Sequence, residues 1–382
     1  MSKYPPKKAK SGKLGGKGHA SGVTLRGEGR RRGAGPGLGV TWGNQSRSIP
    51  STCSSVGRYR ELRGPHWAYE GPHGQHHWPE AHPACGGGAQ SPIAIRTSGV
   101  QPDPSLPPIR PEGYESPGAE LLALSNNGHT AVLELPRSLR LRGLPRSFTA
   151  EQLHFHWGGA GRSGGAEHIL DGHRAAAEMH VVHYDAERYG NASDAQHHSG
   201  GLAVLGVLLE VGAAPHPAYA NILRHLSSIR FAGQRTSIPP FSIRDLLPSR
   251  LDLYYRYNGS LTTPPCFQSV LWTLFQEPVR ISQAQLEQLQ GTLYSTDASE
   301  AEPQLLEGNF RVPQELNQRQ VLSSFPRAPE GYSTGAAIAI IIGSLGGCIG
   351  LFLSIHLVGK RLRVKRSQEQ DIAFKASPHG AP

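Results

Sequence analysis

Cysteine is scarce in this chain. Four residues in 382 are too few for a small scaffold built on disulfides. Cys53 stands in a Gly- and Ser-rich stretch and Cys348 in an apolar run. Only Cys85 and Cys266 fall where the sequence reads as globular, and such a pair fits either two free thiols or one disulfide of an oxidising compartment. Acidic residues are nearly missing from both ends. Residues 1–65 hold 14 Lys and Arg against Glu28 and Glu61, and residues 360–382 hold six against Glu369 and Asp371. The ends thus carry +12 and +4 of a formal net charge of +10, which leaves −6 on residues 66–359. The basic character belongs to the tails, so it gives no ground for a nucleic-acid partner of the folded body. The basic run also lacks the interleaved aromatics on which bases stack.

Two further absences shape the ends. The opening MSKYPPKKAKSGKLGGKGHASG has no apolar core of a signal peptide. Residues 1–65 lack apolar periodicity and read as a disordered, Gly-rich basic segment, an aberrant N-terminus to the domain that follows. Charge is absent from residues 336–358, which are 23 uncharged positions and long enough to cross a hydrocarbon core of roughly 30 Å. Lys360, Arg361, Arg363, Lys365 and Arg366 follow at once. The excess of positive charge places residues 359–382 in the cytoplasm as a tail and everything before the linker 329–335 outside. Gly343-x-x-x-Gly347 and Gly346-x-x-x-Gly350 offer close-packing faces for a homodimer through this helix.

Between the ends the texture is that of strands. Ala131–Leu135, Glu151–Trp157 and Glu178–His183 alternate in period two, and Gly201–Val211 is a nearly continuous apolar run, as in a buried central strand. Ile281–Leu293 is the best helical pattern. These features predict one β-dominated domain over residues 66–328.

The chemistry begins at His154-Phe155-His156. Residues two apart on a strand share a face, so the two imidazoles project together while Leu153, Phe155 and Trp157 point away. A second strand offers Glu178, His180 and Val182 on one face. Three imidazoles from neighbouring strands form a His₃ set with an open fourth position, a catalytic zinc pattern. Neutral ligands leave the ion its full charge, which lowers the pKa of a coordinated water to about 7. Gln152 and Glu178 lie one strand step from a histidine each, placed to take its second ring N–H and fix its tilt.

The segments QLHFHWG, AEMHVVH and NGSLTTPP resemble the signature segments of α-carbonic anhydrases. The resemblance runs from Trp67 to about Phe325 and includes WAYEGPHGQHHWP, QSPI at 90–93, SNNGHT at 125–130, LAVLG at 202–206 and a closing FRVP with LNQRQV. It implies a large twisted, mainly antiparallel sheet with small peripheral helices, to which this chain adds its transmembrane helix. The tail and the Cys85/Cys266 pair make the chain most similar to the membrane-bound extracellular members, in which the two cysteines form a disulfide.

The resemblance also implies roles. His154, His156 and His180 would hold zinc. Thr262 would accept a hydrogen bond from the nucleophile and donate one to Glu167, and Thr263 would help hold bicarbonate. His129 would shuttle the proton, with Tyr69 and Asn127 ordering the water between. Val182, Val204, Leu261 and Trp272 would form the apolar wall that receives CO₂. Val132 stands where relatives often carry an amide, and Gly161–Gly165 suggests a loop one residue longer. Asn191-Ala192-Ser193 and Asn258-Gly259-Ser260 are glycosylation sequons. Asn258 precedes the active-site turn and is expected to be shielded, which favours Asn191. A catalytically dead relative would lack a ligand histidine, whereas all three, with Glu167 and Thr262, are present here.

Overall fold

The computed structural model describes residues 67–161, 164–326 and 334–375. The expectations for residues 1–65, most of the linker 329–335, the end of the tail, and Arg162 and Ser163 of the longer loop lie outside the described residues. So does Cys53.

Ten strands form the main path of a 13-stranded sheet. In chain order they are β1 Gln101–Pro102, β2 Leu122–Asn126, β3 Ala131–Glu134, β4 Phe148–Trp157, β5 Ala177–Tyr184, β6 Leu202–Gly212, β7 Arg235–Ile238, β8 Tyr254–Gly259, β9 Val270–Phe275 and β10 Leu322–Ser323. Their spatial order is β7-β2-β3-β4-β5-β6-β9-β8-β10-β1. The pairs are antiparallel except β6 with β9 and β10 with β1. The strands expected from period two and from the apolar run at 201–211 are all present. The centre of the sheet is its driest part, with every residue of β5 and the first eight of β6 buried.

Alternation along these strands separates two apolar bodies. On one face Leu153, Phe155, Trp157, Met179, Val181, Leu205 and Val207 join the larger core, with Ile222 of the helix Pro217–Leu223 and Leu286 and Leu289 of the helix Gln283–Thr292. On the other face Val182, Val204, Tyr257, Val270 and Trp272 form a second cluster beside the histidines. The expected helix at 281–293 begins two residues later. Ser282 caps it, its hydroxyl accepting from the Gln285 backbone N–H while the Gln285 side chain returns to the Ser282 N–H.

The C-terminal helix spans Thr334–Lys375. At 1.5 Å per residue its 42 residues run about 63 Å, twice the roughly 30 Å of a hydrocarbon core. Its apolar section is long enough to cross a membrane. The helix does not stop at the basic cluster but runs on into the segment 359–382 read as the tail. Lys, Arg, Gln and Glu are good helix formers and continue it past the apolar span.

Candidate metal centre and its cavity

Sheet register brings the three histidines together. His154 of β4 lies directly opposite His180 of β5, and His156 lies opposite Glu178. Gly206 of β6 pairs with His180 on the far side. A Cβ there would stand 3.1 Å from the Glu178 Oε1, so a glycine leaves room for that carboxylate.

Each imidazole is oriented by one partner. His154 Nδ1 donates to the Gln152 amide oxygen at 2.9 Å. His156 Nδ1 donates to the Asn309 carbonyl at 2.8 Å. His180 Nε2 donates to Glu178 Oε1 at 2.8 Å. Amide, carbonyl and carboxylate oxygens only accept, so each fixes the ring proton on its own side and leaves a lone pair on the other nitrogen. The lone pairs face one another, with His156 Nε2 only 3.0 Å from His180 Nδ1. Two acceptors at that distance repel unless a cation lies between them. Nitrogens about 2.0–2.1 Å from one tetrahedral ion stand about 3.3 Å apart, so the residues fit a divalent metal. Burial pushes all three imidazoles below their ordinary range, His156 to about 4, which keeps them neutral as ligands must be.

A second cluster, His168, Glu178 and His180, is also close enough to hold an ion. Its donors are already used. Glu178 Oε1 accepts from His168 and His180, and its Oε2 accepts the backbone N–H groups of Glu167 and His168. The other His168 nitrogen meets the Tyr257 hydroxyl at 2.7 Å. Burial opposes ionisation of Glu178, but His168 and His180 overcome it and hold the carboxyl well below its usual range. This cluster therefore braces His180 and leaves no lone pair for a metal.

Glu167 is wholly buried behind the centre, with Oε1 accepting the Arg311 N–H at 2.8 Å. Burial raises it to about 7, against the opposing pull of His180, the Arg311 N–H and the nearby Thr262 hydroxyl. Its Oε2 is buried without a hydrogen-bond partner. A cavity of about 210 Å³ opens above the histidines. Gln152, His154, His180, Val182, Val204, Leu261, Thr262, Thr263 and Trp272, all singled out by sequence, line it. Glu151, Ala192, Ser193, Gln196 and Leu202 also line it, and sequence reasoning had missed them.

His129, Asn127, Tyr69 and Val132, also expected at the site, are not among the residues that line this cavity. The His129 ring stacks on Trp67, centroids 3.7 Å apart and planes 9° from parallel. Asn127 Oδ1 accepts the backbone N–H groups of His129 and Thr130 and so holds the turn. Burial, then the charge of Glu167, pushes the Tyr69 hydroxyl well above its usual range. Val132 is paired with His154. Asn309 was missed altogether. It is fully buried, its carbonyl orients His156, and its amide donates to the carbonyls of His129 and Phe155. Its only sequence signal is its place beside the closing FRVP segment.

Cys85 and Cys266 form a disulfide, with Cα atoms 4.8 Å apart and a sequence separation of 181. Asn191 caps a short helix, its amide oxygen accepting from the Asp194 N–H and its nitrogen donating to the Asp194 carboxylate. The shielding expected of Asn258 is absent, because the residue is exposed.

A sheet-borne set of three neutral imidazoles at the foot of a partly apolar cavity could hold a metal ion, and three protein ligands are the pattern of catalytic rather than structural zinc sites. Comparison with known proteins identifies which kind. The eukaryotic-type carbonic anhydrase pattern matches residues 73–325. Carbonic anhydrase 12 of Homo sapiens is 40% identical over 319 residues, covering 82% of this chain and 90% of that protein. Carbonic anhydrase 6 of Homo sapiens is 38% identical over 274 residues, covering 71% and 86%. Carbonic anhydrase 1 of Mus musculus is 37% identical over 261 residues, covering 68% and 98%. The chain belongs to the eukaryotic-type carbonic anhydrase family.

Proposed function

We propose that this protein is a zinc enzyme that hydrates CO₂ reversibly to bicarbonate and a proton at the outer face of a membrane. The observation that carries the reading is the convergence of three lone pairs on one point beneath a cavity with an apolar wall. Zinc held by His154, His156 and His180 supplies Lewis-acid activation of water at neutral pH. The protein does the rest. Val182, Val204, Leu261 and Trp272 receive a substrate that has no net charge or dipole. The unpartnered Oε2 of Glu167 would accept a hydrogen bond from the Thr262 hydroxyl, so that hydroxyl could only accept from the nucleophile, which turns a lone pair toward CO₂. Thr263 steadies the product. His129 carries the proton outward through water ordered by Tyr69 and Asn127, and imidazole suits that task because it titrates near neutrality.

The catalytic domain spans 66–328 in this reading and the helix anchors it, with the basic cluster on the cytoplasmic side. A likeness of its motifs to carbonic anhydrase XIV is part of this reading; the 40% identity to carbonic anhydrase 12 of Homo sapiens supports the family and not that member. Glycans on Asn191 or Asn258 and a homodimer through the small-residue faces belong to the same proposal. Stopped-flow CO₂ hydration on the zinc-quantified protein tests it. One zinc per chain and fast hydration are expected, with most of both lost in His180→Ala, where two protein ligands remain. Full zinc and full activity in that variant would falsify the assignment.

A further inference from the structure

The short strands Arg110–Glu112 and Arg140–Arg142 belong to the sheet but lie off its main path, with Arg110–Glu112 at an edge. Leu139 and Leu141 are buried, so alternation turns Arg140 and Arg142 outward, and both are exposed. Arg110 stands directly opposite Arg142 across the antiparallel ladder, and Glu112 opposite Arg140. Arg110 and Glu112 are exposed too. On the other side Arg140 pairs with Thr149 of β4, and Thr149 pairs with Tyr184 of β5. Residues paired in this way share a face. The Arg140 guanidinium donates to the Thr149 hydroxyl at 3.2 Å. The exposed Arg137 guanidinium lies over the buried Tyr184 ring, 5.9 Å from its centroid. Four arginines thus share one face at this edge.

One carboxylate answers them. Both Glu112 oxygens lie 3.1 Å from Arg142 Nε, on the diagonal, and not against the facing Arg140. Among the described residues Arg110, Arg137 and Arg140 make no ion pair. Like charges directly opposite one another cost stability. The patch also gathers charge of the sign opposite to the −6 carried by residues 66–359. Charged side chains guard a sheet edge against strand addition, but mixed signs serve that purpose without the repulsion. The choice of arginine adds chemistry, because its planar fork meets sulfate or carboxylate oxygens with paired N–H groups.

We propose that Arg110, Arg137, Arg140 and Arg142 form a docking surface for a sulfated polysaccharide. Arg140 and Arg142 lie about 7 Å apart along their strand, and Arg110 about 5 Å across from Arg142. One small anion cannot span such a set, whereas a chain of sulfated sugars meets several arginines at once. A nucleic acid fits less well, because the Tyr184 ring is buried beneath Arg137 and offers no face to a base. Sulfated polysaccharides lie outside cells, so their supply rests on the outward placement of the domain proposed above; the binding itself rests only on the patch.

Hydroxyphenylglyoxal labels exposed arginines, and mass spectrometry of the full chain in neutral detergent reads each one separately, so the basic tails do not mask the result. Saturating heparin dodecasaccharide is expected to slow labelling of Arg110, Arg137 and Arg140 about fivefold, since a guanidinium held in two hydrogen bonds is withdrawn from the reagent. Added salt should weaken this protection. Arg280 should be unaffected. It pairs with Glu210 of β6, whereas Tyr184 pairs with Leu202 of the same strand, which puts Arg280 roughly 26 Å along the strand from the patch. Arg110→Gln with Arg140→Gln replaces two exposed side chains that no carboxylate holds, and protection at Arg137 should then fall below about twofold as the joint contacts are lost. Unchanged labelling at the patch overturns the proposal, as does equal slowing at Arg280. Undiminished protection of Arg137 in the double variant, or stronger protection by a thymidylate dodecamer, overturns it too. Labelling reads binding without turnover, so a failed hydratase reading leaves the result standing, and a failed patch leaves hydration standing.

Discussion

At the scale of residues, attack on CO₂ and removal of the proton are separate steps with separate groups. His129→Ala should leave kcat/KM for hydration almost unchanged, because that ratio stops at bicarbonate release. In weak buffer it should lower kcat about tenfold or more, short of the usual contribution of about 10²–10⁴-fold for acid–base groups because water and other bases carry part of the proton flow. Added imidazole buffer should restore much of the rate. Thr262→Ala should lower kcat/KM itself, without rescue, because it misorients the nucleophile. Comparable losses in kcat/KM for the two variants, or indifference to imidazole, would remove His129 from the role. The stacking of His129 on Trp67 adds a detail that the motif at 127–129 did not contain. Sequence pairing found Gln152 and Glu178 because each stands two residues from its histidine. Asn309 escaped because it reaches His156 from 153 residues away through its backbone, where its side-chain type carries no signal.

At the scale of elements, strand periodicity placed the histidines but not Glu151. It falls between Ala150, paired with His183, and Gln152, paired with Val182, and has no partner across the ladder. Such a bulge is a property of two strands and not of one. Helix ends were less legible than helix existence, and Ser282 decided the start at Gln283 through its cap. The disulfide ties the N-terminal 3₁₀ segment Pro83–Gly86 to the turn that carries Thr262 and Thr263. Cross-linking across 181 residues removes chain entropy from the unfolded state worth about 5 kcal/mol at most. Replacement of both cysteines by serine should therefore lower the denaturant midpoint substantially without loss of zinc. Intact mass should fit a bonded pair, and two alkylatable thiols in protein secreted without reductant would refute it.

At the scale of the whole molecule, acid stability exposes a buried histidine remote from the proposed chemistry. His183 packs in the larger core, with its ring between the Tyr114 hydroxyl and the Ala203 carbonyl. Burial lowers it to about 4, whereas an unfolded imidazole titrates near ~6.5. The unfolded chain thus takes a proton that the folded one refuses. The resulting stability is complete above about pH 6.5 and is lost as pH falls toward 4, in total about 3 kcal/mol. His183→Gln should flatten that part of the profile, measured by urea unfolding from pH 4 to 7; an identical slope in both proteins would count against it. Topology is the other global property. Cells that make the chain behind a working signal peptide should yield a glycosidase-sensitive mass shift and a C-terminal tag shielded from outside protease. By exposure, Asn258→Gln should remove more of the shift than Asn191→Gln.

By itself the sequence determined the strand content, the helix long enough for a membrane, the three clustered histidines with two of their three partners, and the apolar side of the cavity. Each of these follows from a local period or from spacing within one segment, and local geometry is shared by every strand or helix of that pattern. Only the tertiary structure decided the rest. It chose between the two clusters containing His180 by saturating Glu178, brought Asn309 against His156, exposed Asn258 and turned Glu151 into the cavity. Those outcomes depend on register between strands and on contacts more than a hundred residues apart, and no period within one segment encodes them.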